Sequence, residues 1–314
     1  MGQLVQGQWV ADGEEAADGR YQMTQSVLRN WISTDGSPGP SGSGGFKAEP
    51  GRYHLYASPA CPFAHRALIM RKLKGLEDVI SVSFVDPVKL GEGWVLAQGA
   101  DPINGKMLLR GIYTLAEPDY TGRVSVPVLW DKQQATIVGN GSAEIIRMFN
   151  RAFDAWGRAE RDYCPDALVE EIDAMNAFVA ERINEGVYAA GFAGNQQAHS
   201  EAVIRLFDAL DVIEERLTKS AFLVGDTLTE ADIRLFTTLA RFDGVYHGHF
   251  KCNLRRLIDY AALWAYARCL YAIEEFAETC DFEHMKHHYY ASHLDLNPTG
   301  IVPEGPDVDW GLVA

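Results

Sequence analysis

The sequence predicts an α/β domain followed by an all-helical one, and three observations carry that prediction. A strand-like alternating run at Tyr53–Ala57 is followed by a turn, a helix and a second strand at Ile80–Val85, so a β–α–β unit is complete within residues 53–85. Two strands joined in that way lie parallel, with a right-handed crossover. From Pro165 onward the apolar period becomes helical and stays so. Finally, 314 residues, 47% hydrophobic and 23% charged, suffice to bury two cores of ordinary composition.

Residues 1–50 are polar and glycine-rich and include the tract Ser33–Gly45. A segment so composed is expected to be an extended N-terminal arm, with Trp9, Trp31 and Phe46 as the side chains able to pin it to the body. The α/β domain covers 51–155. After Tyr53–Ala57, Pro62 suits the first position of a helix, where its missing N–H costs nothing. That helix runs through Leu68, Ile69 and Leu73 to a stop at Gly75. Residues 86–122, rich in Gly and Pro, are expected to be a loop-rich insertion. Val124–Trp130 is the next strand, and Pro127 within it calls for an edge, a bulge or a cis turn entering the strand. Ala135–Val138 supplies a short partner strand and Ser142–Phe153 a helix. The order β-α-β, Pro-β, β, α is thioredoxin-like.

In the helical domain, 165–294, Ile172, Met175, Phe178 or Val179, and Ile183 mark one amphipathic helix, and Val203, Ile204, Phe207, Leu210, Ile213 and Leu217 another. Thr229 to Asp232 is a capping box with Asp in the place of Glu, opening a helix over 229–246. A further helical pattern covers 255–278. Residues 295–314 are expected to be an irregular tail.

Lys and Arg number 28 against 43 Asp and Glu, a formal charge of −15. An acidic surface repels phosphate backbones and anionic lipid, which points away from nucleic-acid and membrane-surface partners. Only 9 of the basic residues are Lys; an acidic, Lys-poor surface is read first as that of an ordinary acidic cytosolic protein, with adaptation to high salt as the alternative. The five cysteines are scattered and none has the C-x-x-C spacing of a zinc site or dithiol centre. Met1–Ala16 lacks a basic segment followed by an apolar run, and no stretch approaches 18 uncharged apolar residues. The expectation is a soluble, cytoplasmic protein in a reduced compartment.

The chemistry centres on Cys61. It stands immediately before a helix N-terminus, where unpaired N–H groups and the macrodipole favour an anion and so populate a thiolate. Cys164 also precedes a proline but follows no strand, and Cys252, Cys269 and Cys280 fall in helical sequence as packing residues. Three positions after Cys61 stands Ala64, not a second cysteine. A monothiol centre has no resolving sulfur of its own and must be regenerated by an external thiol. Val126-Pro127 is placed to offer backbone N–H and C=O groups to a peptide-like thiol, as in strand addition. Asn140-Gly-Ser142, opening a helix, offers backbone N–H groups and the Ser142 hydroxyl to a carboxylate, with N-capping by Ser142 as the plainer, compatible role. His284, His287, His288 and His293 include an i, i+4 pair, but no third acidic or Cys ligand stands at supporting spacing, so no metal is expected.

The run Tyr53–Leu76 with its Cys61-Pro-Phe-Ala-His65 core resembles the glutathionyl-hydroquinone reductases, the Xi class of glutathione transferases. So do Val126–Asp131, Glu144–Asn150, Gly186–Phe192, Arg241–Asp243, His249–Asn253, and His288–His293 with Asn297–Pro303. The likeness extends over residues 50–306, and its C-terminal motifs are particular to this class. It implies a thioredoxin-like N-terminal domain, an all-α glutathione-transferase C-terminal domain and a homodimer. It also implies the reaction: Cys61 attacks the sulfur of a glutathionyl-hydroquinone, freeing the hydroquinone and leaving a Cys61–glutathione mixed disulfide that a second thiol resolves. By the same resemblance Phe63, Trp94, Arg123, Val126, Pro127, Gly141 and Ser142 line the thiol site. Tyr188 and one of Tyr289 and Tyr290 hold the aromatic hydroxyl and donate a proton to the leaving carbon, as a positioned phenol can.

Two positions depart from the family pattern. Phe63 replaces the usual Trp, losing an indole donor but keeping apolar bulk. Gly141 stands where the family has the Glu of a Glu-Ser pair, which meets the α-amino group of the γ-glutamyl moiety. Losing a charged hydrogen bond costs about 1.5–3 kcal/mol, about 10- to 100-fold in affinity. Either Glu144, one turn on, takes over the role, or the cosubstrate is bound weakly or is a thiol related to glutathione, such as γ-glutamylcysteine. Two other functions compete with the reductase. An omega-like thiol transferase or dehydroascorbate reductase would share Cys61 without needing Tyr188, Tyr289 or Tyr290. A binding module would have no use for a thiolate at a helix start.

Overall fold

The computed structural model describes residues 2–11, 18–21, 23–24, 26–42, 44–97 and 99–311. It divides into two compact units, Met1–Glu14 with Thr24–Asp162, and Glu15–Met23 with Tyr163–Ala314.

The first unit opens with the strands β1 (Gln3–Val5) and β2 (Gln8–Val10), a hairpin turning at Gly7, then β3 (Trp31–Ser33) and β4 (Gly45–Lys47). Next come β5 (Tyr53–Ala57), α1 (Pro62–Leu73), β6 (Ser81–Phe84), α2 (Arg110–Ala116), β7 (Gly122–Arg123), β8 (Val128–Asp131), β9 (Thr136–Gly139) and α3 (Ser142–Arg151). Its central sheet has the order β6-β5-β8-β9, with β6 parallel to β5 and the others antiparallel. All of β5 and all of β8 are buried, so both faces of the sheet centre are covered. α1 packs on α3 and contacts β5, and Gly75, at φ +65°, ends the helix as expected. A buried bidentate pair, Arg52 to Asp131, ties the start of β5 to the end of β8.

The arm is more regular than its composition predicts. β1 pairs antiparallel with β7, β3 runs parallel to β4, and Leu28–Asn30 adds an edge to β9 through Asn30 N–H to Val138 O (2.9 Å) and Asn140 N–H to Leu28 O (3.1 Å). The glycines themselves allow it: a Cβ on Gly42, at φ +68°, would sit 2.1 Å from the Arg29 carbonyl, so only glycine lets the backbones approach. Residues 86–122 also carry more order than a loop. They hold α2 and a hairpin in which Asp86 N–H meets Val95 O and Leu90 bridges Gly93.

The second unit is helical: α4 (Val169–Val179), α5 (Gly186–Gly191), α6 (Gln196–Leu217), α7 (Glu230–Leu239), α8 (Ala261–Tyr271), α9 (Glu274–Ala277) and α10 (Phe282–Ser292). π-helical turns follow α4 at Ala180–Asn184 and α7 at Phe242–Tyr246. Every residue of α7 is buried, as befits the central helix of the unit. Its start is the expected capping box, in which Asp232 accepts from the Thr229 N–H and hydroxyl, the Leu223 N–H and the Tyr266 hydroxyl (2.7–3.0 Å). Residues 294–311 form no helix or strand, yet Lys286 ties them down by donating to the Pro303 and Glu304 carbonyls, and Trp310 packs on Trp264, Tyr271 and Phe282. Among the described residues, no helix is long and apolar enough to cross a membrane.

Candidate active site

In the first unit the β5–α1 turn presents Cys61. The residue caps α1 in extended conformation, with Pro62 at the first helical position, as the sequence predicted. Its carbonyl already accepts the His65 N–H at 2.9 Å, its own N–H is held by the Ser58 carbonyl, and the half-buried sulfur faces the Val126 carbonyl at 3.4 Å. The Val126–Pro127 peptide is cis and enters β8. The other cysteines form no disulfide: Cys164 and Cys252 are buried and Cys280 half-buried, whereas Cys269 is exposed rather than packed as expected.

Ser142 is not the cap of α3. Gly141 occupies that position without a side-chain bond, and Ser142, one residue further, accepts from the buried Arg66 at 3.3 Å. Arg66 also lies 4.8 Å over the Phe63 ring, so Phe63, Arg66 and Ser142 form one contiguous group. Trp94 is buried, with the Lys89 ammonium 5.2 Å from its ring centre. Burial pushes that ammonium down to about 8, the neighbouring Arg123 cation adds to the push, and the Cys61 sulfur pulls the other way. Cys61, Lys89, Trp94 and Arg123 therefore share one electrostatic neighbourhood.

In the second unit Tyr188 and Tyr289 meet hydroxyl to hydroxyl at 2.6 Å. Tyr290 does not: its ring packs 4.7 Å from His249, and its carbonyl accepts from Asn297. Neighbours on a helix point about 100° apart, so only one of the two tyrosines reaches Tyr188. Tyr21 and Phe192 pack against the Tyr188 ring, with Phe250 edge-on to it. His249 and His293 lie within 3.2 Å through their ring nitrogens, and burial pushes His249 down to about 4, which keeps it neutral near pH 7.

Two domain families match the chain: the glutathione S-transferase N-terminal domain over residues 60–152 and the glutathione S-transferase C-terminal domain over 196–269. The chain is 50% identical to the glutathionyl-hydroquinone reductase YqjG of Escherichia coli (strain K12), over 98% of its own length and 95% of that protein. It is also 50% identical to the glutathionyl-hydroquinone reductase PcpF of Sphingobium chlorophenolicum, over 98% and 96%. The glutathione-bound structure of YqjG matches with TM-score 0.90 at 49% identity, covering 98% of this chain and 97% of that one. The Xi-class transferase of Natrialba magadii matches with TM-score 0.90 at 44% identity, over 100% and 96%. The chain belongs to the glutathionyl-hydroquinone reductases, the Xi class of glutathione transferases.

In this reductase the Gly141 departure has a structural counterpart. A Cβ on Gly141 would lie 2.2 Å from Glu144 Oε2, so the Glu144 carboxylate fills the space that a side chain at 141 would need. Glu144 is largely buried and takes a close ion pair from Arg29, on the arm segment that edges β9. Arg29, Lys89, Arg66 and Tyr246 escaped the sequence reading. Arg66 stands one turn beyond Pro62 and was open to inference from helical spacing; Arg29 and Lys89 reach their places through long-range pairing that no local pattern signals.

Proposed function

We propose that this reductase converts glutathionyl-hydroquinones to hydroquinones with Cys61 as nucleophile and glutathione as the second thiol. The observation that carries the reading is Cys61 at the N-terminus of α1, beside the Val126 carbonyl and under the field of Lys89. The Cys61 thiolate attacks the glutathionyl sulfur, forming the S–S bond of a mixed disulfide while the carbon–sulfur bond breaks. The electron pair left on the ring carbon takes a proton from the Tyr188 hydroxyl, and hydroquinone departs. Glutathione then gives its proton to the Tyr188 phenolate, and its thiolate attacks the mixed disulfide, releasing glutathione disulfide and the Cys61 thiolate.

The thiol is held by Trp94, Arg123, the Val126 backbone beside Pro127, and Ser142, with Phe63 as an apolar wall. Glu144 takes the part that Gly141 cannot play, accepting from the α-ammonium of the γ-glutamyl group. The protein works as a cytoplasmic homodimer, and its acidic, Lys-poor surface suits it to high salt; light scattering and activity across a salt series check the last two points. The deciding experiment is hydroquinone release from a synthetic glutathionyl-hydroquinone by wild type, Cys61→Ala and Tyr188→Phe. Release is expected to vanish in the first variant and fall steeply in the second. Disulfide exchange by wild type without any hydroquinone release would instead make it a thiol transferase.

A further inference from the structure

Two stretches of backbone grip the thiol in the proposed site, Val126 and the entry to α3 at Gly141-Ser142, and one buried oxygen bonds to both residues that precede them. The Tyr113 hydroxyl, on α2, donates to the Ser125 carbonyl at 2.8 Å. It accepts the Ser125 N–H at 3.2 Å and the Asn140 side-chain N–H at 3.2 Å. A hydroxyl has one proton and two lone pairs, so all three are engaged. Tyr113 is fully buried and Asn140 is 6% exposed. The backbone of Asn140 is held in turn by the arm: its N–H donates to the Leu28 carbonyl at 3.1 Å, and its carbonyl accepts from Ser26 Oγ at 3.2 Å.

We propose that Tyr113 is a positioning residue whose hydroxyl sets the separation between the two points that grip the thiol, the Val126 backbone and the entry to α3. For Ser125 it stands in for a neighbouring strand, taking the N–H and the C=O of one residue as an antiparallel partner would. The next residue, Val126, turns its carbonyl to the Cys61 sulfur instead, at 3.4 Å. Through the Asn140 amide the same oxygen reaches the turn that opens α3, which carries Ser142 and Glu144. A thiol of the glutathione kind spans both points, with its cysteinyl backbone along Val126 and its γ-glutamyl end at α3. Two linked contacts reinforce each other only while their separation matches the ligand, and a mismatch forfeits that gain. Hydrogen bonds to one oxygen in a dry interior are stiff, so the spacing is held without a ligand present. Residues 86–122 thereby serve the site through α2, which supplies a gauge that the central sheet does not contain.

The inference rests on the proposed seating of glutathione along Val126 and at α3, so the test compares a ligand that spans both points with one that spans neither. Tyr113→Phe removes one oxygen and keeps the ring. It is expected to raise KM for a glutathionyl-hydroquinone about tenfold, the worth of one hydrogen bond, with kcat within about twofold. Attack of Cys61 on glutathione disulfide, which forms the Cys61–glutathione mixed disulfide and releases glutathione, is expected to slow by the same factor. Attack on hydroxyethyl disulfide, too small to reach α3, is expected to stay within about twofold of wild type. Asn140→Ala cuts the same tie at its far end and is expected to raise KM likewise. Tyr53→Phe is the control, since it also gives up a buried hydroxyl, bonded to the Lys47 carbonyl at 2.5 Å; it is expected to lower Tm without raising KM. A wild-type KM in Tyr113→Phe or Asn140→Ala, an equal loss with hydroxyethyl disulfide, or an equal rise in Tyr53→Phe overturns the gauge while leaving the thiol site in place. A wild-type enzyme that attacks hydroxyethyl disulfide as fast as glutathione disulfide overturns the underlying seating together with the gauge.

Discussion

Replacing Glu144 by Gln changes one charge and almost no volume, which isolates the contact proposed between Glu144 and the α-ammonium of the thiol. The Glu144 carboxylate is 15% exposed and shares its charge with Arg29, which is 47% exposed. A hydrogen bond between charged groups is worth about 1.5–3 kcal/mol, and the competing Arg29 pair favours the lower half of that range. We therefore expect about 2 kcal/mol, or about 30-fold in the Kd for glutathione. The measurement is titration calorimetry on the Cys61→Ala protein, with glutathione and with its analogue lacking the α-amino group. The loss is expected with glutathione and is expected to shrink to under about threefold with the analogue, which has no ammonium to lose. Gly141→Ala provides an independent perturbation. Its methyl would lie 2.2 Å from Glu144 Oε2, so it must displace the carboxylate and weaken glutathione in the same sense. Equal losses with both ligands, or none with glutathione, would refute the assignment of Glu144 to the ammonium.

Three further outcomes are expected. Lys89 carries its charge below about pH 8 and loses it above, so Lys89→Met should shift the pH midpoint of Cys61 alkylation by iodoacetamide upward by about one unit, the worth of one nearby charge in a partly buried site; Lys89→Arg should retain the wild-type midpoint and extend activity above pH 8. Asp232→Ala leaves the buried Leu223 and Thr229 N–H groups and the Tyr266 hydroxyl without their acceptor, a cost of about 4 kcal/mol, read as a fall of about 10 °C in Tm. Burial lowers both His54 and His249 from 6.5 to about 4; because the unfolded chain then binds the protons more readily, stability is whole above pH 6.5 and drains away as pH falls toward 4, which thermal melts across that range check and a neutral His54→Gln replacement should blunt.

Features legible in the order of residues alone are those that depend on near neighbours in the chain. The β5–α1 turn, Pro62 at the first helical position, Cys61 at the cap and the Thr229–Asp232 box each depend on atoms two to four residues apart, so the local order of residue types suffices to place them. The tertiary structure decided whatever depends on distant chain. Adjacent tyrosines 289 and 290 look alike in sequence, and only the packing of α10 against the Phe242–Tyr246 turn turns one toward Tyr188 and the other toward His249. α2 hides among the glycines and prolines of 86–122, and no side chain caps it. The arm folds because its glycines let backbones approach at distances that composition cannot reveal. Gly141 reads as a loss in the sequence, since the carboxylate that fills its space lies three residues on and is steadied by Arg29, more than a hundred residues away in the chain. Side-chain direction and long-range pairing are properties of the packed whole.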